Sequence, residues 1–390
     1  MTKRKYTYSF IILFIIISSY YLYGQSHENT PQKVYRHCYV VKSKNWYKNQ
    51  EKLWKKEIRK NLQNEDAWYN YYFAARYGWA IIKGETLPKE VIMDSIYNEM
   101  GNAIPNSWVY HYIHYYHYGS DFSRLKKAYH INPDESNLYW EFIKEYEFTE
   151  KMQLKNEFCK KLYHSKAISN GILNLNYNML YSAEPNSILF TNGDNDSYPS
   201  WMIQEVKEIR KDVLILKLHW AFGERKFLKK KLEEKGIYID TSGFSTLDIA
   251  KFFRKLVGII NEKYPEIPIH LAQTLYKDYY KNFKDDLYLT GIIYTYRNDQ
   301  INTNAIHKKK MENALRLDYL NFEWYDDLHV SEPLVNQLNL IYVEPILKLS
   351  EYYNSNGDTE SACKWKNKAL LLSKKANDKY LIKKIEEKNW

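Results

Sequence analysis

The sequence predicts a mostly helical α+β chain in which helical hairpins flank a small α/β module. Three observations carry that expectation. Gly and Pro are scarce, 13 and 10 in 390 residues, against 39 Tyr and 11 Trp. This balance favours helices packed on aromatic knobs over a loop-rich all-β chain. Short apolar runs alternate with helical patterns between residues 186 and 300, the order of a largely parallel sheet. Helix-hairpin patterning fills residues 31–185 and returns in 301–390.

At the N-terminus, Lys3-Arg4-Lys5 precedes an apolar run from Tyr8 to Tyr23, followed by Gly24-Gln25-Ser26. A basic start, an apolar core and a small residue describe an export signal over residues 1–25. The run approaches the ~18 residues that a spanning helix needs, so an uncleaved anchor is the alternative. Either reading places the body of the protein outside the cytoplasm, in the periplasm. The membrane is then met only through this segment. No lipobox-like cysteine follows the run, and no later run is long and apolar enough to span.

Residues 31–185 read as helix after helix. Trp46, Leu53 and Trp54 begin one apolar face, and Asp66–Tyr77 forms another with Asp66 as its expected N-cap. Ala74 and Ala75 allow close helix contact. Ser107–Tyr118 is a very aromatic helix ended by Gly119. The stretch Leu125–Pro133, with Ala128 on the packing face and Asn132-Pro133 at the turn, resembles the end of a tetratricopeptide unit. The helix Ser136–Tyr146 follows it. Tyr353, Gly357, Ala362 and Ala369 fall at tetratricopeptide-like offsets within residues 336–375, although Lys366 occupies a normally apolar position. Such hairpins stack into concave surfaces for a protein or peptide partner.

The α/β module is Rossmann-like in pattern. Its expected strands are Ile188–Thr191, Val213–Leu218, Ile267–Ala272 and Leu287–Tyr296. Its expected helices are Pro199–Ile209, Glu224–Lys235 and Leu247–Lys263. Between the first strand and helix lies Asn192-Gly193-Asp194-Asn195-Asp196-Ser197. Ligands of open α/β sheets sit where strands end and helices begin. Gly193 permits positive φ, and Asp196 or Ser197 can cap a helix started by Pro199. A capped junction accounts for part of this loop. Its surplus of oxygen groups marks Asn192, Asp194, Asn195, Asp196 and Ser197 as candidate ligand-binding residues. The Asp194-x-Asp196 pair supplies hard oxygen ligands for a divalent cation, the one cofactor the sequence points to. A single Gly amid acidic groups does not cradle phosphate.

Strand ends on the same side bring further candidates. Thr274 joins the ligand-binding set with Gln273 beside it, and His219, followed by Trp220, is the candidate acid or base. Tyr296-Arg297 ends the last strand. His111, His114 and His117 recur at helical spacing but read as a packing stripe. Cys38, Cys159 and Cys363 show neither metal nor disulfide spacing. The formal charge is +10, with lysines interleaved among acids as solvated faces, so a nucleic-acid partner is not expected. The densest basic runs are Arg225–Lys231 and Lys308–Lys310. Gly-x-Ser-x-Gly, His-Glu-x-x-His and Walker-type loops are absent from the sequence.

The run Thr191–Ser197, Tyr198-Pro199, Trp201, Gln204-Glu205 and Arg210–Val213 resembles the soluble C-terminal portion of large bacterial membrane proteins distantly related to protein O-mannosyltransferases. Their pattern is Thr-Asn-Gly-Asp-Asn-Asp-Ser/Thr, an aromatic residue and Pro. Ile267–Ala272 and Leu287–Tyr294 are similar to that family's following strands. The resemblance implies an extracytoplasmic α/β module. Sugar transfer is not implied, because the spanning helices that carry it in the family have no counterpart here. The expected function is an exported scaffold or interaction protein with a small-ligand or metal site in the module. The alternatives are a cation-dependent enzyme of envelope glycan or lipid metabolism using Asp194 and Asp196, and a structural protein in which the module caps a helical solenoid.

Overall fold

The computed structural model describes residues 30–79, 89–119, 121–299, 302–321 and 329–388. The expected export signal over residues 1–25 lies outside them. Among the described residues no helix is long and apolar enough to cross a membrane. The chain forms two compact units. Of the described residues, those from 30 to 35 and from 41 to 105 belong to the first, and Arg36–Val40 with those from Asn106 onward to the second.

The first unit holds helices α1 (Lys44–Lys60), α2 (Glu65–Trp79) and α3 (Lys89–Ala103). Ser43 caps α1 by accepting from the Trp46 N–H at 3.2 Å. The expected cap of α2, Asp66, instead lies inside the first turn. Asn64 is the cap, its Oδ1 accepting from the Ala67 N–H at 3.0 Å. Either residue type serves, so composition alone cannot choose between them. Ala74 and Ala75 are fully buried, as their size suggests. The extended residues before α1 are pinned by side chains: Asn70 accepts from the Val34 N–H at 2.6 Å, and Trp54 donates to the Gln32 carbonyl at 2.8 Å.

The second unit begins with α4 (Trp108–Tyr118), α5 (Phe122–Ile131), α6 (Ser136–Phe148), α7 (Met152–His164) and α8 (Asn170–Ser182). Ser107 caps α4 at 3.0 Å, and Gly119 ends it at φ 73°. The aromatic residues form the expected knobs. Phe142 of α6 stacks on Phe158 of α7 at 4.2 Å, with Tyr129 and Tyr146 edge-on or tilted around them. Ala128 is fully buried where a small residue was expected.

A five-stranded sheet follows, in the order β2-β1-β3-β5-β4, with β1 (Ile188–Thr191), β2 (Leu214–Lys217), β3 (Ile269–Ala272), β4 (Leu287–Thr290) and β5 (Ile293–Tyr296). The first three pair in parallel, Ile188 aligning with Leu214 on one side and Ile269 on the other. The fourth expected strand is a hairpin instead, and β5 runs antiparallel to β3, so the sheet is mixed. Apolar character continues across the turn at Gly291, hiding it from pattern reading. The turn requires glycine: Gly291 has φ 64°, and a Cβ there would lie 2.4 Å from Ser182 Oγ. Helices α9 (Asp194–Lys207), α10 (Leu218–Gly223), α11 (Arg225–Glu233), α12 (Ile249–Lys263) and α13 (Lys277–Tyr280) complete the module. Phe252, Phe253, Leu256 and Ile260 of α12 bury Ile188, Phe190, Leu216 and Leu271 of the sheet.

α9 opens at Asp194, well before the Pro199 start that the sequence predicts. A proline inside a helix orphans the carbonyl four residues back. Here that carbonyl, of Asn195, accepts from Asn176 Nδ2 of α8 at 2.8 Å. A side chain from another helix therefore lets the proline sit in the second turn.

The chain closes with α14 (Asn304–Lys309), α15 (Glu332–Leu338), α16 (Val343–Ser355), α17 (Thr359–Lys375) and α18 (Lys379–Glu386), of which α16 and α17 pack as the expected hairpin. His307 of α14 is buried, and its Nε2–H donates to the Pro345 carbonyl at 2.8 Å. Burial, with Lys348 nearby, pushes its pKa down to about 4. The unfolded chain protonates this residue near pH 6.5, whereas the folded chain resists until about pH 4. Its contribution is complete above pH ~6.5, falls with acidification and is gone below pH ~4, a loss of about 3 kcal/mol. Urea midpoints measured between pH 7.5 and 4 should fall, and His307→Gln, which keeps an N–H donor, should flatten that fall.

Candidate functional site

β1 lies between β2 and β3, and the chain leaves it first to one side and later returns on the other. That reversal puts the carboxyl ends of β1 and β3 at a topological switch point, where open α/β sheets as a class form their ligand-binding crevice. Asn192-Gly193 stands on one side of this point and Gln273-Thr274 on the other.

Asp196 is the centre of the loop. It is 2% exposed and accepts from the N–H groups of Asn192 and Gly193, each at 2.8 Å. The Thr274 hydroxyl donates to the same carboxylate across the switch point. Ser197 Oγ lies 2.7 Å from Thr191 Oγ1. Burial pushes the Asp196 carboxyl above its ordinary value, against the Thr274 hydroxyl and the two amides, which pull it down. Asp196 thus reaches back from the third position of α9 to close the N-terminus on itself, as the acid of a capping box does. Gly193 sits at φ −143°, so the positive φ expected of it is not used.

Asp194 has a different environment. Its side chain is 35% exposed, receives Lys217 Nζ at 2.8 Å and lies 4.0 Å from the Arg36 guanidinium. Burial would raise its pKa, but Lys217 and then Arg36 outweigh that and hold it below the ordinary carboxylate value. Lys217 ends β2 with its ammonium 4.7 Å above the Trp220 ring and 5.5 Å from that of Tyr198. Arg36 donates to Glu141 at 2.9 Å and lies over Trp140 at 5.4 Å. Lys144 pairs with the far oxygen of Glu141 at 3.3 Å. Charges of alternating sign therefore run from Lys217 through Asp194, Arg36 and Glu141 to Lys144.

The two carboxylates have separate roles in this geometry. The Asp196 oxygens face donors of the fold, and a cation at Asp194 would meet two positive side chains within 4.0 Å. Among the described residues no group of three or more His, Cys, Asp or Glu side chains is arranged to hold a metal. Asn195 contributes its carbonyl to Asn176. Asn192 differs from its neighbours: its side-chain Oδ1 is buried without a hydrogen-bond partner. Such an orphan costs about 1–3 kcal/mol, and Asn137 Oδ1, Asn156 Oδ1 and Ser331 Oγ share the feature elsewhere in the chain.

The structure brings Thr274 to the loop but not His219. His219 lies in α10, exposed, with Nε2 2.9 Å from the Tyr279 hydroxyl. Partial burial, then Lys217, lowers its pKa. Gln273 donates to the carbonyls of Ile292 and Ile341 at 3.0 and 3.2 Å, and Arg297 grips Glu184 at 3.0 Å. In α4, His111 faces Arg124 at 3.0 Å while His114 lies 3.8 Å from Asp121, so they have different partners. Cys38 and Cys159 are buried free thiols, each pushed up to about 12 by burial, and Cys363 is exposed.

The remaining motif residues hold the unit together. Gln204 donates to the carbonyls of Arg210 and Val213 at 2.8 and 2.7 Å. Arg210 clamps the carbonyls of Ala183 and Glu184 at 3.0 Å each, and Asp212 receives both Arg210 and the Asn186 N–H. Sequence reasoning missed Lys217, Arg36 and Glu141. A lysine inside the apolar run Val213–Leu218 was a usable signal for the first. The other two come from distant segments with none.

Residues 172–224 match the profile of a family described as TMEM260-associated domain 2. The matched span covers most of α8, then β1, the loop, α9, β2 and α10, and it contains the run on which the membrane-protein resemblance rests. No curated protein and no solved structure matches the chain.

Proposed function

We propose that the chain is an exported, non-catalytic binding protein. Its tetratricopeptide-like hairpins engage a protein or peptide, and its α/β module binds a small ligand in the β1–β3 crevice. The observation that carries the ligand site is the Asn192 Oδ1, a buried acceptor without a donor beside the half-exposed Asp194. Both groups accept hydrogen bonds, so the ligand is one that supplies hydroxyl or amino donors. The helix N-terminus, in general an anion site, is already closed by Asp196. Binding without chemistry is supported by the partner of the acid–base candidate, since His219 bonds Tyr279 and not a loop carboxylate. The family profile is compatible with a domain that works in a membrane-protein context.

Thermal-shift and calorimetric screens with polyols, amines and nucleotide-sugars test this reading. A binder should raise the melting temperature of the natural protein and not of Asn192→Ala or Asp194→Asn. Absence of any binder, or binding that both variants retain, would remove the crevice from consideration. Mg²⁺, Mn²⁺ and chelators should leave the melting temperature unchanged. A rise with either ion, lost in Asp194→Asn, would instead favour the cation-dependent enzyme.

A further inference from the structure

The first unit carries a charged face unrelated to the crevice. Along α1, lysines stand at positions 44, 48, 52, 56 and 60, a strict four-residue step. Each step rises ~6 Å and turns ~40°, so the row runs about 24 Å along one side of the helix. With Lys55 and Arg59 these residues fill an arc of about 160°, taking 100° per residue. Tyr47, Gln50 and Ile58, the buried residues of α1, fall outside that arc, as do its two acids, Glu51 and Glu57, of which Glu57 reaches Lys60 at 2.7 Å. Lys52, Lys55, Lys56, Arg59 and Lys60 are all exposed. The row ends beside a cleft of about 390 Å³ lined by Lys55, Arg59, Leu62, Trp68 and Tyr71, with Glu99 of α3 as its one acid. At its rim Leu62 is 55% exposed, while Trp68 and Tyr71 are buried.

We propose that this face is an electrostatic docking surface for a bilayer containing anionic lipid. A dense row with a clear excess of positive charge meets a layer of negative headgroups without needing a particular arrangement of them. Lysine stems lie along apolar surface while their ammonium groups reach outward, and the exposed aliphatic Leu62 adjoins the row at headgroup depth. A nucleic acid also offers a line of negative charge. The adjoining aromatic residues, however, are buried and give bases no platform to stack on. The apolar run Tyr8–Tyr23 stands shortly before α1 in sequence and, as signal or anchor, would deliver this face to a membrane. The proposal does not depend on the crevice.

The full chain is mixed with phosphatidylcholine vesicles, with and without phosphatidylglycerol, and its lysines are footprinted by acetylation. Protection of Lys52, Lys56 and Lys60 is expected only on anionic vesicles and should vanish at high salt. The triple variant Lys52→Gln, Lys56→Gln, Lys60→Gln should keep its melting temperature. Its anionic-lipid-dependent partitioning should drop on the order of a hundredfold. Equal labelling on both vesicle types would overturn the proposal, as would unchanged partitioning of the variant. Protection by a DNA oligonucleotide but not by vesicles would also overturn it and assign the face to a polyanion.

Discussion

Asp196→Ala is expected to lower stability by about 3 kcal/mol, read as a fall in the urea midpoint at neutral pH. The carboxylate accepts from two backbone N–H groups and a threonine hydroxyl while almost fully buried. Deleting it leaves those donors facing an apolar gap, and each orphaned group costs about 1–3 kcal/mol. Relief from burying the charge offsets part of that sum, since burial already pushes this carboxyl upward. Asp196→Asn should recover only part of the loss, because its NH₂ must confront a donor. The Thr274 hydroxyl can rotate to accept, but the backbone N–H of Asn192 cannot. Thr274→Val should cost about 1 kcal/mol, and the double variant with Asp196→Ala less than the sum, as for partners in one bond. A metal-ligand role gives the opposite sign: without metal, neutralising Asp196 would relieve repulsion from Asp194 and stabilise the chain.

The same contacts explain what the shared sequence pattern encodes. Thr191, Asp196, Ser197, Gln204, Arg210 and Asp212 each satisfy a backbone or side-chain group within the strand-loop-helix-strand unit or in the turn that leads from α8 into it. Their chemistry fixes how β1 and β2 enter and leave the sheet. Asn192 and Asp194 stand apart, since one has an unmet acceptor and the other is half-exposed between cations. Most of the pattern thus encodes architecture, and the residues whose polar groups the fold leaves unmatched or half-exposed form its smaller part.

Local signals were legible in the sequence and distant ones were not. Ile188–Thr191 reads as a strand and is one, because a short apolar run bounded by polar residues has few alternatives. Ser107 and Gly119 bracket α4 as capping chemistry dictates. Pro199 normally opens a helix, so the sequence predicts too late a start for α9, and the amide that lets the proline sit inside lies on α8. The sequence predicts one strand where the β4–β5 hairpin stands because apolar residues flank Gly291 on both sides. In the candidate site, the loop residues and Thr274 could be placed from strand ends alone. Arg36 could not: it belongs to a five-residue stretch, Arg36–Val40, that leaves the first unit and packs in the second. Its pairing with Glu141 spans 105 positions, beyond the reach of any local pattern.

Glu147→Gln is expected to be at least as damaging, by about 3–5 kcal/mol. Glu147 of α6 lies between Lys155 of α7 and Lys231 of α11, the three side chains 2%, 4% and 3% exposed. Lys231 binds it at 2.8 Å and also reaches Glu234 at 2.9 Å, while Lys155 lies 4.4 Å above the Trp201 ring. This triad joins the helical hairpins to the sheet module in a setting of Phe148, Trp220 and Phe227. Burial alone would raise the Glu147 pKa, but Lys155 and Lys231 outweigh it and hold it below the ordinary value. Its stabilisation is therefore complete above the unfolded pKa of ~4.3 and is lost as pH falls through the lower folded value. That window lies below the one in which His307 acts, so the two losses separate on an acid titration, and Glu147→Gln should remove only the lower. A triple replacement, Glu147→Leu with Lys155→Met and Lys231→Met, should restore stability or exceed the natural protein's. Breaking a buried ion pair strands a charge, whereas replacing all its members strands none. If the triple variant is instead as unstable as Glu147→Gln, the triad contributes more than mutual neutralisation, and its hydrogen bonds fix how the hairpins seat on the sheet.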